Sequence, residues 1–106
     1  MVTRGEIWLT VLDPTVGVEI QKTRPCVVVS PPELHDHLPT VIVAPMTTGS
    51  RPAGYRIPIE FESKTGLVLL DQIRTLDQRR LVKLLGRVSA ETLEATLWTL
   101  REMFQH

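Results

Sequence analysis

Three groups of polar side chains stand where apolar runs begin or end. Glu19, Lys22 and Arg24 precede Cys26-Val27-Val28-Val29, Thr47 and Thr48 follow the run that ends at Pro45, and Asp71-Gln72 follow Leu70. A guanidinium carries a permanent charge and planar donors suited to an oxyanion, a carboxylate accepts a proton, and a hydroxyl donates or accepts a hydrogen bond. A rigid β scaffold presents such groups to ligands from its loops and strand ends. Each group also has a local role open to it: Arg24 can pair with a carboxylate, Thr47 can satisfy a turn amide, and Asp71 can brace the backbone.

Other chemistries lack their residues. His35 and His37 flank Asp36 at a spacing that is not a zinc pattern, CxxC and HExxH are absent, and His106 is terminal, so neither a metal nor a cofactor is expected. There is no phosphate-binding glycine loop and no GxSxG, which removes the support for an acyl-enzyme. The single cysteine, Cys26, lies among β-branched residues and reads as a small buried hydrophobe.

The chain has 106 residues, enough for one modest core, and a single domain over 1–106 is expected. Its hydrophobic share of 42% and charged share of 23% are those of a folded globular protein. No apolar run approaches the roughly 20 residues that span a bilayer, and Met1 to Glu6 has no secretory h-region, so no membrane partner and a cytoplasmic location are expected. Twelve basic residues balance twelve acidic ones, yet eight of the basic and only four of the acidic residues fall between Pro45 and Ala90. That segment is either a solvated basic face or a nucleic-acid site.

The elements that must position these groups are mostly short strands. Gly5–Leu12 alternates, with Ile7, Leu9 and Val11 on one side and Glu6, Trp8 and Thr10 on the other. Thr15–Arg24 reads as a long loop, Cys26–Val29 and Val41–Ala44 as strands covered on both faces, Pro31–His37 as an irregular connection and Met46–Tyr55 as a flexible loop. Arg56–Phe61 alternates, Ser63–Gly66 turns, Leu67–Leu70 is apolar, Thr75–Arg79 is turn-rich, and a last strand lies near Leu81–Val88. Six or seven such strands predict a mainly β fold, a small antiparallel barrel or curled sheet. Ser89 caps a C-terminal helix whose Leu93, Leu97, Leu100 and Phe104 share one face, for core or dimer packing.

Gly5-Glu6-Ile7-Trp8, Leu12 to Gly17, Glu19, Thr23-Arg24-Pro25, Pro45 to Thr48, Gly66-Leu67-Val68 and Asp71 to Asp77 resemble, in order and spacing, the MazF/PemK toxins of bacterial toxin–antitoxin systems. The likeness runs from Arg4 to Val88, with the helix in the expected place. The resemblance implies an SH3-like barrel with a C-terminal α-helix, a homodimer, and a metal-independent endoribonuclease that cuts single-stranded RNA. In such enzymes the RNA's own 2′-OH attacks phosphorus, leaving a 2′,3′-cyclic phosphate and a 5′-hydroxyl. A cognate antitoxin would fill the RNA groove.

By resemblance, Arg24 falls on the family's catalytic arginine, Thr47 on its catalytic threonine and Glu19 on its loop glutamate, a candidate acceptor for the 2′-OH proton. Lys22, Arg24, Arg51, Arg56 and Arg74 would line one groove with Asp71, and Gln21, Thr48, Ser50 and Gln72 would read bases. Some positions depart from the family pattern. Ile20 and Lys22 stand where Gln and Gly are usual, and Val18 and Leu69 where some relatives have His and Arg. Asp71 therefore lacks its usual arginine at position 69, which favours a scheme built on Arg24 and Thr47. Two other functions compete: a gyrase-poisoning toxin of the CcdB type, against which the Glu102–His106 ending counts, and a noncatalytic RNA-binding module.

Overall fold

The computed structural model describes residues 2–49 and 51–106. Its strands are β1 (Glu6–Val11), β2 (Thr23–Val28), β3 (Thr40–Thr47), β4 (Arg56–Phe61), β5 (Lys64–Leu69), β6 (Arg74–Asp77) and β7 (Leu81–Arg87). A one-turn helix, α1 (Pro32–His35), and a C-terminal helix, α2 (Ala90–Met103), complete the set. Every strand pairing is antiparallel, in the order β4-β5-β3-β2-β1-β7, with β6 alongside the first half of β3. The result is the expected curled antiparallel sheet with a helix at its end.

The β-branched runs are buried on both faces, as their composition requires. Val27, Val29, Ala44 and Val68 belong to one apolar cluster, and Cys26, Val28, Val41 and Val43 to a second on the other side. Alternate residues of the same strands thus supply two cores. Leu93, Leu100 and Met103 of α2 pack against the first.

Several local expectations change. In β1, Glu6 and Thr10 are buried while Leu9 and Val11 are half-buried. The pairing with β7 shifts register between Ile7 and Trp8 and again between Leu9 and Thr10, and each irregularity breaks the simple alternation. The buried Glu6 carboxylate accepts from the Thr3 amide at 2.8 Å and from Trp8 Nε1 at 3.1 Å, with Arg87 Nη2 3.6 Å away. Its polar groups are paired, so its burial is tolerated.

Residues read as loop or turn also join the sheet. Arg24 lies inside β2, Thr47 inside β3, Gly66 inside β5 and Thr75 inside β6. The β4–β5 turn is made instead by Glu62 and Ser63, whose φ values are 51° and 63°. His35, placed on an irregular connection, sits buried in α1, held by Ser30 Oγ and by the Val2 carbonyl. Ser89 caps α2 by accepting from the Thr92 amide at 3.1 Å. The helical stripe ends early: Phe104 has left the helix at φ −104° and is 72% exposed, whereas Thr96 is the buried residue of α2.

Candidate active site

Pro25 biases the residue before it toward extended backbone, and Arg24 accordingly runs as strand, opposite Thr10 of β1. Its Nε donates to the Gln21 carbonyl at 3.3 Å. Among the described residues, no carboxylate lies within 4.0 Å of the Arg24 guanidinium. The charge therefore remains available to a bound anion.

Thr47 ends β3, beside β2 on one edge and β5 on the other. Gly66 makes that approach possible: a Cβ there would lie 2.7 Å from the Thr47 carbonyl oxygen. The Thr47 Oγ1 accepts from the Gly49 amide at 3.2 Å. With its lone pair engaged in this way, the hydroxyl proton can be donated outward.

Arg24, Thr47 and Thr48 wall one open groove of about 350 Å³, whose apolar floor includes Met46, Ile59 and Phe61. Glu62 and Lys64, at the β4–β5 turn, wall the same groove. The turn expected over Ser63–Gly66 falls earlier, at Glu62-Ser63, which brings Glu62 and Lys64 to the groove. The left-handed pair Glu62-Ser63 carries no glycine, so the usual turn signal was missing.

A second cavity of about 500 Å³ takes in Glu19, Arg56, Asp71, Gln72 and Arg74. The two meet at β3, where Pro45 walls this one and Met46 and Thr47 wall the other. The single groove expected for Lys22, Arg24, Arg51, Arg56 and Arg74 is thus divided. Lys22 and Arg51 line neither cavity.

In the second cavity most polar groups hold the fold. Arg56 grips Asp71 with two bonds, Nε to Oδ1 at 3.1 Å and Nη2 to Oδ2 at 3.0 Å, and its Nη1 donates to the Arg51 carbonyl. Bonding from Arg56 holds the Asp71 carboxyl below the usual aspartate range. Asp71 therefore does have an arginine, supplied from β4 rather than from position 69. Leu69 is fully buried, and Arg56 is its cross-strand partner.

The loop between β1 and β2 is stitched down in the same way. Gln72 Oε1 accepts from the Ile20 amide at 2.8 Å, and Arg74 Nη1 donates to the Leu12 carbonyl at 3.1 Å. Glu19 turns back to accept from the Val16 amide, away from Arg24. Gln21 lends its carbonyl to Arg24, and the Lys22 amide donates to Asp13 Oδ1 at 3.0 Å. Lys22 has φ 72°, a left-handed conformation that explains why glycine suits this position. Ser50 lies outside the described residues. Burial pushes the Cys26 thiol up to about 12, so it offers no thiolate.

A family model described as PemK-like, MazF-like toxin of type II toxin–antitoxin system matches residues 3–104. Endoribonuclease PemK of Escherichia coli is 41% identical over 81 residues, which are 72% of this chain and 61% of that protein. Endoribonuclease MazF of Staphylococcus epidermidis is 38% identical over 87 residues, 76% of this chain and 72% of that one. The match thus spans less than two thirds of the PemK relative's length. Among solved structures, MazF from Deinococcus radiodurans superposes with a TM-score of 0.84 at 23% identity, covering 96% of this chain and 94% of that one. A mycobacterial endoribonuclease in complex with its cognate antitoxin gives 0.80 at 23% identity, covering 96% and 93%. At such identity these two likenesses speak for the fold.

Proposed function

Since the chain belongs to the PemK-like, MazF-like toxins of type II toxin–antitoxin systems, we propose that it is an endoribonuclease cutting single-stranded RNA by transesterification in the groove walled by the start of β2, the end of β3 and the β4–β5 hairpin. The observation that carries this reading is the meeting of Arg24 and Thr47 in one groove, with the guanidinium unpaired by any carboxylate among the described residues. An RNA nucleophile needs no protein nucleophile. The 2′-oxygen bonds to phosphorus, the bond from phosphorus to the 5′-oxygen breaks, and the products are a 2′,3′-cyclic phosphate and a 5′-hydroxyl.

Within this scheme Arg24 stabilises the charge that grows on the phosphorane oxygens, and Thr47 donates its hydroxyl proton to a nonbridging oxygen. Glu19 lines the other cavity and bonds the Val16 amide through one carboxylate oxygen, so taking the 2′-OH proton on the second oxygen is tied to movement of its loop toward Arg24. Because Arg56 is committed to Asp71, Arg24 makes the primary phosphate contact, and Lys22, on the loop outside both cavities, adds one farther along the strand. The reading extends to a single-domain cytoplasmic protein that pairs with an antitoxin. A homodimer would cover apolar side chains exposed on β7 and α2, among them Val82 and Trp98, each 58% exposed.

The deciding experiment incubates the purified protein with a long RNA in EDTA and identifies the new ends. Cyclic phosphates and 5′-hydroxyls at short recurring sequences support the reading. Intact RNA together with inhibited gyrase would overturn it in favour of a protein-binding poison, and binding without cleavage in favour of a noncatalytic module.

A further inference from the structure

The groove that holds Arg24 and Thr47 has walls that phosphate chemistry does not account for. Its floor of Met46, Ile59 and Phe61 is apolar and includes an aromatic ring. A volume of about 350 Å³ sits at the small end of the roughly 300–1,000 Å³ typical of small-molecule sites, room for one base rather than a run of them. Unstacked RNA bases seek such surfaces, stacking on aromatic side chains while their edges meet polar groups.

Glu62 and Lys64 supply that polar rim, and neither side chain has an ionic partner among the described residues. A carboxylate in an RNA groove is repelled by phosphates, so its presence calls for a donor on the ligand. Base edges that carry an exocyclic amino group provide one. The backbone adds an independent observation. Glu62 and Ser63 occupy the left-handed region, at φ 51° and 63°, in a two-residue turn where Asn-Gly would fit without strain. Backbone strain of this kind clusters at functional sites.

Building on the ribonuclease reading, we propose that this groove seats one unpaired nucleobase beside the scissile phosphate, and that Glu62 and Lys64 select it. Phe61 and Ile59 form the seat, Glu62 accepts from the exocyclic amino group of adenine, cytosine or guanine, and Lys64 donates to the neighbouring ring nitrogen or carbonyl. Uracil, which has no amino group, is disfavoured there.

The test compares wild type, Glu62→Gln and Lys64→Met, each checked for folding by thermal melting, on an RNA library randomised around the cut site. Wild type should prefer amino-bearing bases over uracil by about tenfold at one flanking position, the scale of a well-placed base contact. Glu62→Gln should erase most of that ratio, because an amide also donates to the uracil carbonyl, and Lys64→Met should weaken it. An unchanged preference in both variants, with or without a uniform loss of rate, overturns the base seat while leaving the ribonuclease reading intact. A wild-type protein that leaves the library uncut overturns both.

Discussion

Arg56 of β4 holds Asp71 through two nearly equal bonds, 3.1 and 3.0 Å, across the β5 strand end. The pair braces the 3-10 turn Leu70–Gln72, which also carries the Gln72 latch on the first loop. Hydrogen bonding from Arg56 lowers the Asp71 pKa, so the ionised folded state is favoured. Its contribution is complete above the unfolded aspartate value, near about 4, and is lost as pH falls through the lower folded value. Asp71→Asn should therefore lower the melting temperature at pH 7, and the difference from wild type should shrink below about pH 4. A constant difference across that range would remove the ion pair as its cause.

Arg24 and Thr47 differ in what their removal should cost. Arg24→Ala should reduce single-turnover RNA cleavage by about two or more orders of magnitude, as loss of a main charge stabiliser does, without a change in melting temperature. Thr47→Ala should also lose rate with little loss of stability, and Thr47→Ser should recover it, since the hydroxyl is kept. Cleavage near wild type in Arg24→Ala, or a collapse of stability in Thr47→Ala, would reassign these residues to the fold.

Gly66 controls where Thr47 can stand. Gly66→Ala brings a Cβ to 2.7 Å from the Thr47 carbonyl oxygen, and backbone cannot yield as a flexible side chain would. A stability loss of about 1–3 kcal/mol is expected, measured by denaturant unfolding, together with reduced cleavage. Full stability in that variant would show that β3 and β5 are free to part.

Lys22 pulls in two directions. Its φ of 72° strains an L-residue, and Lys22→Gly should stabilise the protein by about 1 kcal/mol. The same change removes a cation from the loop that precedes Arg24. RNA binding should weaken, and the slope of log K against log salt should fall by about 0.7, one phosphate contact on a single strand. A slope equal to wild type would place Lys22 away from the RNA.

Thr96 is buried in α2, and its Oγ1 has no hydrogen-bond partner. Thr96→Val keeps the shape and removes the unsatisfied hydroxyl. A gain of about 1 kcal/mol is expected in chemical denaturation; a loss instead would reveal a partner for the hydroxyl in solution.

Alternation, β-branching and capping act over a few residues, and what depends on them was legible in the chain alone. The buried runs at Cys26–Val29 and Val41–Ala44, the hairpin face of Ile57, Ile59 and Phe61, and the Ser89-capped helix all follow from such local rules. The separated motifs, in order and spacing along the chain, also sufficed for the family. Register and curvature are not local, since they depend on which strand lies beside which and on bulges that interrupt the pairing. Only the folded chain could therefore bring Arg24 and Thr47 to one groove, send Glu19 and Gln72 to another, supply Asp71 with Arg56 from across the hairpin, and set Glu62 and Lys64 beside the proposed reaction centre.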